Sequence, residues 1–219
     1  MAHHFDAASG LPLTQPARRA LDAALAHGWA DPARLYRDGR VARQLLDAAR
    51  SSIATSLGTL AQSVILTGSG TQAIHVGLLG LVRGRRKQGT RIVASAVEHS
   101  AVLRAADWAL ERGEPELIPV SPEGVVDVGA FSTALRSPGV AVAALQSVNH
   151  EVGALQPVEE VHAAAREAGV PLLVDACAGI GALPAPRAWD ILVGSAHKWG
   201  GPAGVGVLVI GPGVRWRSP

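Results

Sequence analysis

The stretch ILVGSAHKWGG, residues 191–201, sets a hydroxyl, an imidazole and an amine side by side at the end of an apolar run. A lysine placed there, Lys198, is costly to bury unless something uses its amine. Other reactive side chains also follow apolar runs. Residues 68–71 read Gly-Ser-Gly-Thr. Gly68 and Gly70 let a ligand approach the backbone, and Thr71 adds a hydroxyl to the free amides of a helix start, a setting that suits a phosphate. Glu98, His99 and Ser100 follow the run at 91–96, and Asn149, His150 and Glu151 follow the run at 140–147. Asp175 closes the run at 171–174, where a carboxylate needs a cation or several donors. Each signal alone has a plainer reading: an ordinary glycine turn, a histidine cap or surface histidine, a polar loop, an aspartate capping the next turn. Together they are the parts of a pyridoxal phosphate site. Such a site uses an amine for a Schiff base, an acid on the pyridine nitrogen, a planar group on the ring face, and amides and hydroxyls for the phosphate.

The fold must bring these parts together. Thr14 is a candidate cap, Pro16 lies in the first turn and Gly28 marks the stop of a predicted first helix. A second is predicted over 39–57, with Val41, Leu45, Ile53 and Leu57 on one face. Strands are then predicted at 63–67, 91–96, 116–120, 140–147, 171–176, 191–195 and 204–210, with helices at 71–82, 100–112, 128–136 and 158–168. The strands are apolar without strict alternation, which implies a sheet covered on both faces. The predicted fold is therefore a doubly wound α/β layout with a mostly parallel sheet, whose ligands sit at the carboxyl ends of strands. There is no internal repeat and no dividing linker, and the terminal GPGVRWRSP reads as an exit from the domain.

The chain has 219 residues, of which 48% are hydrophobic and only 4% aromatic, so the core is expected to be Ala, Val, Leu and Ile. Twenty basic against eighteen acidic residues leave a net charge of +2, which does not call for a nucleic-acid partner even at a pI near 9.2. The basic run at 83–89 reads as a solvated loop. One cysteine, Cys177, excludes an internal disulfide and suits a reducing compartment. No apolar run approaches the roughly 18 residues of a membrane span, and the first ten residues lack the pattern of a signal peptide. A cytoplasmic location is the expectation.

With these residues in view, the chain resembles the class V aminotransferase family of fold-type I pyridoxal phosphate enzymes, and within it the cysteine desulfurases. The resemblance is carried, in order, by FDAASGLPLTQPARRAL, GSGTQAIHVGLLGL, VASAVEHSAVL, VNHEVGALQPVEEV, LLVDACAGIGALP and SAHKWGGPAGVGVLVI. It implies a cofactor, pyridoxal 5'-phosphate, and roles by position. Lys198 matches the Schiff-base lysine, Asp175 the partner of the pyridine nitrogen, and His99 the imidazole stacked on the ring that also aids proton transfer. Gly70 and Thr71 match the phosphate-binding turn, with Ser195 and His197 as further phosphate ligands, and His150 stands where the ring hydroxyl is bound. No metal is implied. The implied reaction takes sulfur from L-cysteine to an acceptor and leaves L-alanine. A homodimer and a sulfur-acceptor protein are the implied partners, without nucleic acid or membrane. Residues 1–14 are then an N-terminal segment, 15–212 the cofactor-binding large domain, and 213–219 an exit toward a small C-terminal domain missing from this chain.

The chain departs from the family pattern in three ways. His150 and Ala178 replace an Asn and a Gln usual in desulfurases, which bears on reaction choice. The nucleophilic cysteine loop and the arginine for the substrate carboxylate have no counterpart in the 219 residues. Cys177 is no substitute, since it lies two residues after Asp175 and is expected to be a small buried side chain. Turnover by this chain alone is therefore not expected. Transamination or β-lyase chemistry, and an inactive truncated homologue, stand as the other readings.

Overall fold

A computed structural model describes residues 5–109 and 115–219. Thr14 caps α1 (Gln15–His27) by accepting from the Ala17 amide, and the helix stops at Gly28. The next helix, α2 (Arg37–Leu57), ends on Gly58 in the left-handed region at φ 65°, where glycine bears no steric penalty. Its buried face differs from the predicted stripe. Ile53 and Leu57 pack against the core, but Leu45 is 38% exposed and reaches toward Gly28. The buried positions of the helix are Gly39, Ala42 and Ala54, small residues that the apolar stripe omits.

Strands and helices then alternate: β1 (Val64–Thr67), α3 (Gly70–Gly84), β2 (Arg91–Ser95), α4 (Ser100–Ala109), β3 (Glu116–Ile118), α5 (Val128–Leu135), β4 (Val140–Gln146), α6 (Val158–Glu167), β5 (Leu172–Asp175), β6 (Ile191–Ser195) and β7 (Gly206–Ile210). The predicted helix end at 110–112 lies outside the described residues. The seven strands form one sheet in the order β1-β7-β6-β5-β4-β2-β3. Every pairing is parallel except those of β7, which runs against both β1 and β6.

Successive residues of β5, β6 and β7 feed opposite cores, which explains why these strands read as unbroken apolar runs. In β5, Leu172 and Val174 join the core under α5 and α6, while Leu173 joins the core under α3 and α4. In β6 and β7 the same alternation holds for Ile191, Leu192 and Val193 and for Val207, Leu208 and Val209. The sheet is thus doubly wound, as predicted. Residues 213–219 run along α3: the Trp216 indole donates to Val76 O at 3.1 Å, Arg217 N to Gly80 O at 3.0 Å, and Arg83 Nη1 to Ser218 O at 2.9 Å. Glycine at position 80 makes room for that tail, since a Cβ there would overlap the Trp216 ring.

Candidate active site

The carboxyl ends of β1, β2, β4, β5 and β6 open onto one cavity of about 350 Å³. Its walls include Gly70, Thr71, His99, His150, Asp175, Ser195, His197 and Lys198. Five separate segments therefore place their reactive side chains around a single space, and that space lies within the size range of small-molecule sites.

The first wall is the start of α3. Ser69 Oγ accepts from Gln72 N at 3.0 Å, and Gln72 Oε1 reaches back to Gly68 N at 2.6 Å. This is a capping box shifted by one residue. It satisfies Gly68 and Gln72 but leaves the amides of Gly70 and Thr71 without an acceptor among the described residues. Gly70 is tightly enclosed: a Cβ would sit 2.8 Å from Cys177 Sγ and 2.8 Å from Ser195 Cβ. Two free amides at a helix N-terminus form an anion cradle, and here the cradle admits no side chain.

The second wall is His99, between β2 and α4. Its Nδ1 accepts from Ala101 N at 3.0 Å, so the histidine caps the helix while its ring lines the cavity. That bond assigns the ring proton to Nε2. Burial pushes the His99 imidazole below its ordinary value; Asp175 opposes this, and His150 and Lys198 reinforce it. His99 is accordingly a neutral planar group with an N–H donor. The His150 ring stands edge-on to it, with centroids 5.1 Å apart and planes at 61°.

Of the polar trio after β4, only His150 lines the cavity. Asn149 is buried in the loop instead: its Oδ1 accepts from Glu151 N and Val152 N, both at 2.9 Å, and its Nδ2 donates to Val97 O at 3.2 Å. Glu151 lies outside the cavity walls. Asp175 is 6% exposed, and its Oδ1 accepts from Cys177 N at 2.9 Å. The aspartate thus caps its turn and also faces the cavity. Cys177 is buried, and desolvation first, then Asp175, pushes its thiol well above the ordinary range.

The last wall is the turn Ala196–Trp199. Ser195 Oγ lies 3.1 Å from His197 Nδ1, pairing two of the predicted phosphate contacts. Trp199 anchors the turn. Its ring packs over Gly194, where a Cβ would lie 2.9 Å from ring carbons, and its Cβ sits over Gly181. With Trp199 seated toward the core under α5 and α6, the preceding Lys198 faces the cavity. No carboxylate pairs with the Lys198 amine among the described residues. Gly200, at φ 77°, lets the chain turn back.

Ser9, Ser69, Gln146 and Val148 also line the cavity and were not among the predicted residues. Ser9 is brought in by the bond from Leu11 N to His197 O at 2.8 Å, a contact between sequence-distant loops. Gln146 could have been found, because a lone amide ends the otherwise apolar run of β4.

The family model of the class-V aminotransferases matches residues 4–215. A cysteine desulfurase IscS of Dictyoglomus turgidum is 30% identical over 97% of this chain and 55% of its own length. An IscS-like cysteine desulfurase of Mycobacterium tuberculosis is 33% identical over 94% of this chain and 55% of its own. Among solved structures, a NifS-like protein superposes with TM-score 0.93 at 26% identity, covering 99% of this chain and 61% of its own. The chain spans about half the length of the curated relatives it matches.

Proposed function

This chain belongs to the class-V aminotransferase family, and on that premise we propose that its cavity holds pyridoxal 5'-phosphate and serves a cysteine desulfurase, which moves sulfur from L-cysteine to an acceptor and leaves L-alanine. The observation that carries the reading is the convergence of Lys198, Asp175 and His99 on one cavity with the free amides of Gly70 and Thr71.

The residues fit the group. A cradle too tight for a Cβ at Gly70 suits a phosphate, with Thr71, Ser195 and His197 as side-chain partners. Asp175 would face the pyridine nitrogen, and neutral His99 would lie against the ring. His150 would take the ring hydroxyl, and Lys198 would bear the aldehyde carbon. When bound, the cofactor supplies an electron sink for the bonds at a substrate's α-carbon. The chain's own residues do the rest. The buried Asp175 carboxylate holds a positive charge on its partner nitrogen. His99 keeps Nδ1 engaged with Ala101 and presents Nε2–H to the cavity. The amine of Lys198 faces the cavity with no ion pair among the described residues to draw it away from a bound group.

Residues 15–212 are read as the cofactor-binding unit, with the segment 1–14 contributing Ser9 to its wall. A homodimer, a sulfur-acceptor protein and a cytoplasmic location complete the reading. Large apolar side chains left exposed at Leu25, Trp29, Leu35 and Tyr36 support self-association, and no helix among the described residues is long and apolar enough to cross a membrane. A β-lyase outcome is the second reading. It is favoured by Ala178 on the cavity wall, which has no side-chain donor, and by the burial of the single thiol. The test is reconstitution with pyridoxal 5'-phosphate, borohydride reduction and peptide mapping. The label belongs on Lys198; a label on Lys87, the other lysine of the chain, refutes the reading.

A further inference from the structure

Behind the wall formed by His99 lies a buried acid that the reading above leaves without a task. Glu98 is 6% exposed and has no cationic partner among the described residues. Its Oε1 accepts from the backbone amide of Gln146, at the end of β4, at 2.8 Å. Its Oε2 is buried without a partner. A second tie runs alongside, since Gln146 Nε2 donates to Val97 O at 2.5 Å and Asn149 Nδ2 donates to the same oxygen at 3.2 Å. The turn at 96–99 is thereby bound to the end of β4. Both sides of this clamp reach the cavity: His99 is the next residue in the chain, and Gln146 lines the wall directly across from Asp175 in the β4–β5 register.

We propose that Glu98 is a positioning residue of the site, pinning the 96–99 turn to β4 and so fixing how His99 and Gln146 face the cavity. An ordinary surface glutamate would not be buried here, because a lone carboxylate is among the most expensive groups to desolvate. Burial first, and the neighbouring Asp175 charge as well, push its carboxyl up to about 8, while the Gln146 amide acts in the opposite direction. At neutral pH the group is then an uncharged acid. It offers Gln146 an acceptor without adding a second negative charge beside Asp175. A glutamine reproduces that arrangement, with its carbonyl as the acceptor. An aspartate, one methylene shorter, cannot span the same distance.

The clamp itself is independent of any bound group; only the affinity readout rests on the cofactor reading. In the protein without added cofactor, nuclear magnetic resonance of the His99 ring should give a titration midpoint below the ordinary imidazole value, about 6.5. E98Q should keep that midpoint. E98D should raise it toward the ordinary value, because the loosened ring gains water. Affinity for pyridoxal 5'-phosphate should fall at least tenfold in E98D and stay within threefold of the parent in E98Q. An unchanged His99 midpoint in E98D overturns the proposal, as does an E98Q that behaves like E98D. If E98D does not fold, the parent still decides the matter: its Gln146 amide must be protected from solvent exchange, and rapid exchange overturns the clamp. A parent that binds no cofactor refutes the proposed function, while the His99 midpoints still judge Glu98.

Discussion

Gly70→Ala tests the phosphate cradle most directly. The added Cβ would meet Cys177 Sγ at 2.8 Å, Ser195 Cβ at 2.8 Å and Ser195 Oγ at 3.1 Å. None of these is the far end of a flexible chain: Cys177 is buried in the turn after β5 and Ser195 is buried at the end of β6. Overpacking of this kind costs about 1–3 kcal/mol. For a chain of this length each kcal/mol lowers Tm by about 2–4 °C, so a fall of about 2–12 °C is expected. The shift that relieves the overlap also moves the start of α3, and with it the free amides of Gly70 and Thr71. A charge-assisted hydrogen bond contributes about 1.5–3 kcal/mol, so losing one weakens cofactor affinity by about 10- to 150-fold. Calorimetry and fluorescence quenching read the two effects separately. Cys177→Ala in the same chain removes one of the two closest contacts and should recover part of both losses. Coupling between the two changes of about 0.5–3 kcal/mol is the expected size for side chains in contact. A Gly70→Ala protein with parental Tm and parental affinity would show that the helix start does not form the cradle.

Asp175→Asn should retain cofactor binding but slow exchange of the substrate α-proton by about 100-fold or more, the scale of a lost catalytic proton or charge partner; exchange at the parental rate would reduce Asp175 to a turn cap. Cys177 should resist alkylation in the folded protein at pH 8 and react promptly in denaturant, because the protonated thiol is not the nucleophile. For the same reason the 219-residue chain should give no catalytic sulfide from L-cysteine; turnover that vanishes in Cys177→Ala would make Cys177 the sulfur acceptor. Glu98 binds its proton more tightly when folded than when unfolded, so its contribution to stability is complete below about 4.5 and is lost as pH rises through about 8. Denaturant titrations at pH 6 and pH 8 should show the parent losing stability relative to E98Q; equal loss in both proteins would place the ionisation elsewhere.

Much of this molecule is local and therefore legible in the chain. Apolar runs such as those of β4 and β6 mark strands covered on both faces, because burial of the two faces is a property of consecutive residues. Thr14 and Gly28 mark helix ends, because their hydrogen bonds span only a few residues. The reactive residues at strand ends are visible for the same reason, since parallel strands with helical crossovers collect their carboxyl ends on one side. Which of those residues face the cavity is another matter. Asn149 and His150 are adjacent and equally polar, yet one ties the loop to Val97 and the other lines the wall. Lys198 faces the cavity because Trp199 packs over Gly194 and Gly181, residues that lie before and beyond a separate loop. Ser9 reaches the site through the His197 carbonyl, and Glu98 is buried by its bond to Gln146, 48 positions away. The placement of β1 beside the reversed β7 at the sheet edge is likewise invisible in the order of elements. Residue type and local period are set along the chain, but side-chain direction and burial depend on what packs against them, and those neighbours are supplied only by the tertiary fold.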